Sequence, residues 1–315
     1  MNHFPAKLLL FGEYTILLGS SALSLPFNYF GAALMFSNQE PEHLLSQTQQ
    51  SNRQIKGLSE YLMSSRFAVE KFLDLDRLAR DISQGLYLAS TIPQRYGMGS
   101  SGALCAAIYS GYPSTDRASS RQLNPETLVP LRSSFVIMES FFHGKSSGFD
   151  PLVSWFNRPL MQDRYGNVSV AEFNRQILAD HGVAALLVDS GRQCTTGPLV
   201  KNFLTDFVPD GKVTSSGFEM CNMVNSAIEK LISGDIHGML HEINRLSLFQ
   251  LTHLKHLIPE KLRPLWAEGL ESGLFTMKLC GSGGGGFLLC FTRNEETTTE
   301  YFHNKKVPII NVSLS

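Results

Sequence analysis

The sequence predicts a two-domain α+β protein, and three observations carry that expectation. At 315 residues the chain exceeds the usual span of one hydrophobic core, so two domains sharing a cleft are expected, here as residues 1–181 and 182–315. Strand-like runs open the chain and return late, with helical periodicities between them. Between them, in residues 91–109, a glycine- and serine-rich turn runs straight into an apolar, alanine-rich helical pattern.

Residues 3–36 read as strands, with apolar runs at 8–11, 14–18 and 32–36 separated by turns at Gly12-Glu13, Gly19-Ser20-Ser21 and Pro26-Phe27-Asn28. Residues 37–57 are polar and rich in Gln and Ser, which predicts a surface loop or a hairpin. Leu75, Leu78, Ile82, Leu86 and Tyr87 set residues 73–88 at helical spacing. The turn and helix of 91–109 follow at once. After a polar stretch at 113–125, residues 128–142 resume a helical pattern with Leu131, Phe135, Met138 and Phe142 on one face and Glu139 riding on the helix. A second turn of small residues presents Asp150, followed by Trp155 and strand-like runs through Val170. Residues 183–188 form a β-branched and leucine-rich strand that delivers the polar segment 189–197 to a loop. Helical patterns at 199–208, 217–233, 235–257 and 260–271 precede a third glycine-rich turn, set between two strand-like runs within 277–291. A helix at 297–303 and a strand at 307–312 complete the chain.

Composition narrows the function. Hydrophobic residues make up 43% and charged residues 17%, which fits a well-buried globular protein. The net charge is −1, without a Lys/Arg cluster, so there is no electrostatic footprint for nucleic acid or an anionic membrane, and a small-molecule substrate is expected. Five scattered cysteines without a Cys-x-x-Cys pair read as reduced core thiols. Gly12 and Glu13 interrupt the first apolar run too early for a signal peptide, and nothing approaches a membrane span, so a cytoplasmic protein is expected.

The turn at 91–109 has the chemistry of a phosphate cradle. The first N–H groups of a helix lack intrahelical partners and sit at the positive end of its dipole, where an anion is stabilised. Gly97, Gly99 and Gly102 permit positive φ and close approach, while Ser100 and Ser101 can cap the helix or offer a hydroxyl to a metal. The same pattern also fits an N-capped loop with no ligand. Neither Walker A nor dinucleotide-fingerprint spacing is present.

Three glycine-rich turns, one early, one central and one late, together with the Asp150 segment, resemble the GHMP family of small-molecule kinases. Pro5-Ala-Lys-Leu-Leu-Leu-Phe-Gly-Glu-Tyr-Thr-Ile-Leu is similar to motif one, residues 93–103 to motif two and residues 278–287 to motif three, so the resemblance spans nearly the whole chain. Glu139, followed eleven residues later by Asp150, is similar to the mevalonate kinase branch. The resemblance implies an N-terminal mixed α/β domain of ribosomal-protein-S5-like type and a C-terminal ferredoxin-like α+β domain. It implies ATP and Mg²⁺ as cofactors, transfer of the γ-phosphate to the primary hydroxyl of mevalonate, and a homodimer. In this resemblance Asp150 accepts the hydroxyl proton and Lys7 lies near both Asp150 and the acceptor oxygen. Pro93, Gly97, Met98, Gly99, Ser100, Ser101 and Gly102, with Gly281, Ser282, Gly283 and Gly284, hold the nucleotide. Glu139 with Ser100 or Ser101 holds the metal, and Glu13, Tyr14, His143, Ser147 and Thr196 face the substrate.

The sequence departs from the family pattern at several positions. Cys194 stands where the eukaryotic enzymes have an arginine, for which Arg192 is a substitute, and Tyr14 stands where they have a histidine. Met98 and Gly102 replace a commoner leucine and alanine. A kinase for phosphomevalonate or another small alcohol or sugar would need added cations near Tyr14, Arg192 and Lys145. The related decarboxylases lack the motif-one lysine, present here as Lys7, and intact Lys7, Glu139 and Asp150 argue against a non-catalytic nucleotide-binding regulator. Glu13 is open between orienting substrate or Lys7 and capping a turn. His237 and His241, beside Glu242, are four residues apart on a helical pattern and, like His253 and His256, read as solvent-facing rather than as ligands.

Overall fold

The computed structural model describes residues 2–37, 45–114, 124–144, 146–174 and 176–312. The chain forms two compact units: Met1–Lys7 with Leu25–Pro93 and Gly99–Arg158, and Leu8–Ser24 with Gln94–Met98 and Pro159–Ser315. Two strands, β1 (Phe4–Phe11) and β2 (Ala22–Phe36), contribute residues to both. The run at 14–18 is a 3₁₀ turn, Thr15–Leu18, rather than the expected strand, because Gly12 at φ 113° and Tyr14 at φ 63° turn the backbone out of the extended region. Pro26 does not break β2 as expected. It falls between the stretch Ala22 to Ser24, paired with one neighbour, and the stretch Ala32 to Phe36, paired with another, outside both of those registers.

In the first unit, a helix α1 (Leu45–Ser64) occupies most of the stretch expected to be a loop or hairpin, while residues 38–44 lie outside the described residues. Ile55, Leu58 and Leu62 bury one face, and the many Gln and Ser side chains leave the opposite face to solvent. After α2 (Arg66–Val69), the helix expected over 73–88 divides into α3 (Leu75–Ser83) and a strand β3 (Leu86–Ser90). Gly85, at φ 89°, makes the break, and Leu86 and Tyr87 then pair with Phe36 and Met35. The helix after the glycine–serine turn is α4 (Ser100–Gly111), and α5 (Pro125–His143) begins at an Asn124 capping box. A further helix, α6 (Phe149–Phe156), stands where Trp155 was expected to lead into strands. Apart from Asp150 its residues are buried, with Trp155 packed edge-on against Tyr109 and Phe135.

In the second unit, β4 (Leu160–Gln162) pairs with Ala22 to Ser24 and with β5 (Val168–Val170). Then come α7 (Ile177–Asp180), β6 (Ala184–Asp189), α8 (Thr196–Phe207), α9 (Ser215–Ser233), α10 (Ile236–His253) and α11 (Arg263–Ser272). Two strands, β7 (Phe275–Leu279) and β8 (Phe287–Thr292), flank the third glycine-rich turn, and α12 (Glu295–Asn304) and β9 (Ile309–Val312) end the described chain. An antiparallel sheet in the order β7-β8-β6-β9 results. Trp266, Phe11, Phe203 and Phe302 are among the largest fully buried side chains of this unit. Among the described residues no helix is long and apolar enough to cross a membrane.

Candidate active site

In the first unit, Lys7 extends from β1 with only 6% of its surface exposed, and its Nζ lies 3.0 Å from Oδ2 of Asp150. Asp150 sits in the first turn of α6, whose start is set by Gly148 at φ 70°. A hydrogen bond of 2.9 Å from the Ser154 hydroxyl to the Pro5 carbonyl holds α6 to β1 two residues before Lys7. Two glycines of the central turn make room for this pair. A Cβ on Gly99 (φ 73°) would lie 2.5 Å from Cγ of Lys7, and one on Gly102 would lie 3.0 Å from the Asp150 carbonyl carbon. Pro93, half-buried, precedes the turn in the same unit.

Glu139, on α5, is 4% exposed and accepts a hydrogen bond from the Ser146 hydroxyl, with the Ser101 hydroxyl nearby. Burial, and then the Asp150 carboxylate, push its carboxyl up to about 8, while the serines and Lys7 oppose the rise. The Ser101 hydroxyl also lies 3.1 Å from Nε2 of His143, whose pKa burial holds below the ordinary value. Ser100 has no side-chain hydrogen bond among the described residues, and the exposed Ser147 caps its own turn, accepting from the Phe149 N–H at 3.3 Å. Lys7, Asp150, Glu139, Ser101 and His143 thus form one cluster. Ser146 joins it unforeseen, since nothing in a Ser-Ser-Gly turn tells the two serines apart. Lys145 lies outside the described residues.

The cluster suits a divalent cation. Two carboxylates in mutual repulsion, one of them enclosed and already flanked by hydroxyls, leave negative charge that a cation would relieve. Among the described residues no group of three or more His, Cys, Asp or Glu is placed to hold a metal on its own. His237, His241, His253 and His256 are exposed, and Glu242 is engaged by Lys230 and Arg245.

In the second unit, Thr196 opens α8 and its hydroxyl lies 3.1 Å from that of Ser282 in the third glycine-rich turn. Both line a small, partly open pocket together with Arg95, Gly97, Cys194 and Gly283. Gly97, Gly281, Gly283 and Gly284 all have positive φ there, between 68° and 96°. Met98 is buried beside Gly97 in sequence, and the Arg192 side chain is exposed. Tyr14 donates its phenolic hydroxyl to the Ser282 carbonyl, and burial, with Cys194 adding, raises its pKa well above the ordinary range. Glu13 is 2% exposed and forms an ion pair with Lys278, itself fully buried. Arg95 was not foreseen. It has φ 61°, and its guanidinium has no partner among the described residues.

No protein-family model and no curated protein sequence matches the chain. Solved structures do match it along nearly its full length. L. major mevalonate kinase in complex with R-mevalonate has 16% identity and a TM-score of 0.64, covering 99% of this chain and 95% of that one. Streptococcus pneumoniae phosphomevalonate kinase in complex with phosphomevalonate and AMPPNP has 15% identity and a TM-score of 0.60, covering 99% of each. Lactococcus lactis galactokinase complexed with galactose has 11% identity and a TM-score of 0.63, covering 99% and 92%. The α+β fold is therefore the one that these GHMP kinases share, as the three glycine-rich turns led us to expect.

Proposed function

We propose that this chain is an ATP-dependent small-molecule kinase that transfers the γ-phosphate to the primary hydroxyl of mevalonate. The observation that carries this reading is the Lys7–Asp150 pair, a buried ammonium 3.0 Å from a carboxylate that remains open to solvent. Phosphoryl transfer asks the protein mainly to position the acceptor and to stabilise charge. Asp150 is placed to accept the hydroxyl proton. Lys7 holds that carboxylate in place at 3.0 Å and is positioned to stabilise the developing alkoxide. The turn at residues 97–102, at the head of α4, offers its unpaired N–H groups to the phosphates. Glu139 and Ser101 would hold Mg²⁺, with Ser101 preferred to Ser100 because its hydroxyl faces the cluster, 3.1 Å from Nε2 of His143 and near Glu139. When bound there, a magnesium ion would neutralise phosphate charge. Thr196 and Tyr14 are the proposed contacts on the acceptor side, and a cytoplasmic homodimer belongs to the same proposal.

A second reading, a phosphorylated acceptor such as phosphomevalonate, is favoured by Arg95. Arg95 lines the same pocket as Thr196 and Ser282, and a guanidinium is suited to a phosphate or carboxylate. Both readings are tested by ADP release from MgATP with mevalonate, 5-phosphomevalonate, galactose and a panel of small alcohols. Turnover with mevalonate above all others supports the first reading, preference for 5-phosphomevalonate supports the second, and ATP binding without turnover on any acceptor counts against both.

A further inference from the structure

Lys278 and Glu13 are both enclosed, at 0% and 2% exposure, and each is the other's ion-pair partner across 265 residues of sequence. Removing two charges from water costs more than their attraction returns unless further hydrogen bonds complete the arrangement, and an apolar pair of similar volume is often at least as stable. The surroundings show what this pair accomplishes. β7 is the edge strand of its sheet, so the outer backbone groups of Leu279, its last residue, have no strand to pair with. Lys278 Nζ donates to the Leu279 carbonyl at 2.7 Å, and the Leu279 N–H donates to Oε1 of the fully buried Gln250 at 2.9 Å. The chain leaves the sheet at that point for the third glycine-rich turn. Glu13 holds the ammonium in place, and the adjacent Tyr14 reaches the far side of the departure through the Ser282 carbonyl.

We infer that Glu13 and Lys278 are a positioning couple that fixes where the turn at residues 280–286 leaves β7. The couple thereby sets the wall of the cavity formed with Arg95, Cys194 and Thr196. Neither residue contacts the acceptor; they act through the turn. Its far end packs closely: a Cβ on Gly284 would lie 2.6 Å from Sγ of Cys194, and the Gly286 N–H donates to the Arg192 carbonyl at 2.6 Å. A displaced turn would therefore uncover Cys194, the one cysteine that is not buried.

The test is the double variant Glu13→Leu, Lys278→Met, which removes both charges together so that neither is left unpaired, measured beside Glu13→Gln. The kinetic arm rests on the proposed kinase activity; the thiol arm does not. We expect the double variant to melt near the wild type, yet to lose about a hundredfold in kcat/KM, the scale of an ångström's misplacement. Its Cys194 should react with a maleimide about tenfold faster, as in a locally loosened segment. A purely structural pair predicts that the double variant recovers both kcat/KM and the wild-type labelling rate, and that result would overturn the inference. Should the wild type phosphorylate no acceptor, the kinase reading falls, and the labelling rate still decides the role of the couple. Should the double variant fail to fold, Glu13→Gln decides it: faster Cys194 labelling supports the couple and an unchanged rate rejects it.

Discussion

Asp150 is the residue on which the proposed chemistry turns, and its surroundings make the consequence of altering it specific. An asparagine keeps the size of the side chain and a partner for Lys7, so neither the fold of α6 nor the nucleotide turn should change. What is lost is the carboxylate that the proposed mechanism uses as proton acceptor. Asp150→Asn is expected to lower kcat by about 10²–10⁴-fold with the KM for ATP nearly unchanged, and steady-state kinetics with a varied nucleotide checks both. Gly99 tests the other half of the pair. At φ 73° an alanine is strained, and its methyl would come 2.5 Å from Cγ of Lys7, whose buried stem has little freedom to yield. Gly99→Ala is therefore expected to lower both kcat and the melting temperature, and a variant with wild-type turnover would mean that Lys7 need not stand where it does.

At the scale of elements, α4 and α6 meet where the central glycine-rich turn comes up to Asp150, and Gly102 sets how closely. The family commonly carries alanine there by the resemblance noted in the sequence, whereas here a Cβ would lie 3.0 Å from both the Asp150 carbonyl carbon and the Pro151 nitrogen. Those are backbone atoms, so α6 must move as a body if the methyl is to fit. Gly102→Ala is expected to destabilise by roughly 1–3 kcal/mol, as overpacking does, and to lower kcat more than KM. Denaturant unfolding together with kinetics would show it. A neutral or stabilised variant would indicate that the first turn of α6 has slack, and the close approach would then carry no functional weight.

Across the whole molecule, what the sequence reveals depends on how local the cause is. The glycine-rich turns were legible because Gly97, Gly99, Gly281, Gly283 and Gly284 adopt positive φ, a demand that glycine meets whatever the tertiary context. Helices α9 and α10 were legible from apolar periodicity. Helix α1 was not, because the three apolar residues Ile55, Leu58 and Leu62 carry its buried face against a polar majority. The Glu13–Lys278 pair was beyond reach, since no local pattern announces a partner 265 residues away, although a lysine inside an apolar strand was a visible anomaly. Nor could spacing distinguish Ser101 from Ser100, which differ only in which one the helix turns toward Glu139.

That last arrangement makes a prediction about global stability. Without nucleotide or metal, the Glu139 carboxylate is enclosed beside Asp150, and its ionised form is disfavoured by both burial and repulsion. A glutamine of the same shape still accepts a hydrogen bond from Ser146 and carries no charge, so Glu139→Gln is expected to melt at or above the wild-type temperature in the ligand-free state. Ligand reverses the order. A nucleotide at about 100 times its Kd stabilises by about 2.7 kcal/mol, and with roughly 2 cal/mol/K of unfolding entropy per residue that is a rise of about 4 °C for a chain of this size. If Glu139 helps to hold the metal, the wild type should show this rise with MgATP and a smaller one with ATP plus EDTA. Glu139→Gln should show little difference between the two. Thermal melts of both proteins under the three conditions separate the contributions, and an equal magnesium-dependent rise in the variant would remove Glu139 from the metal site.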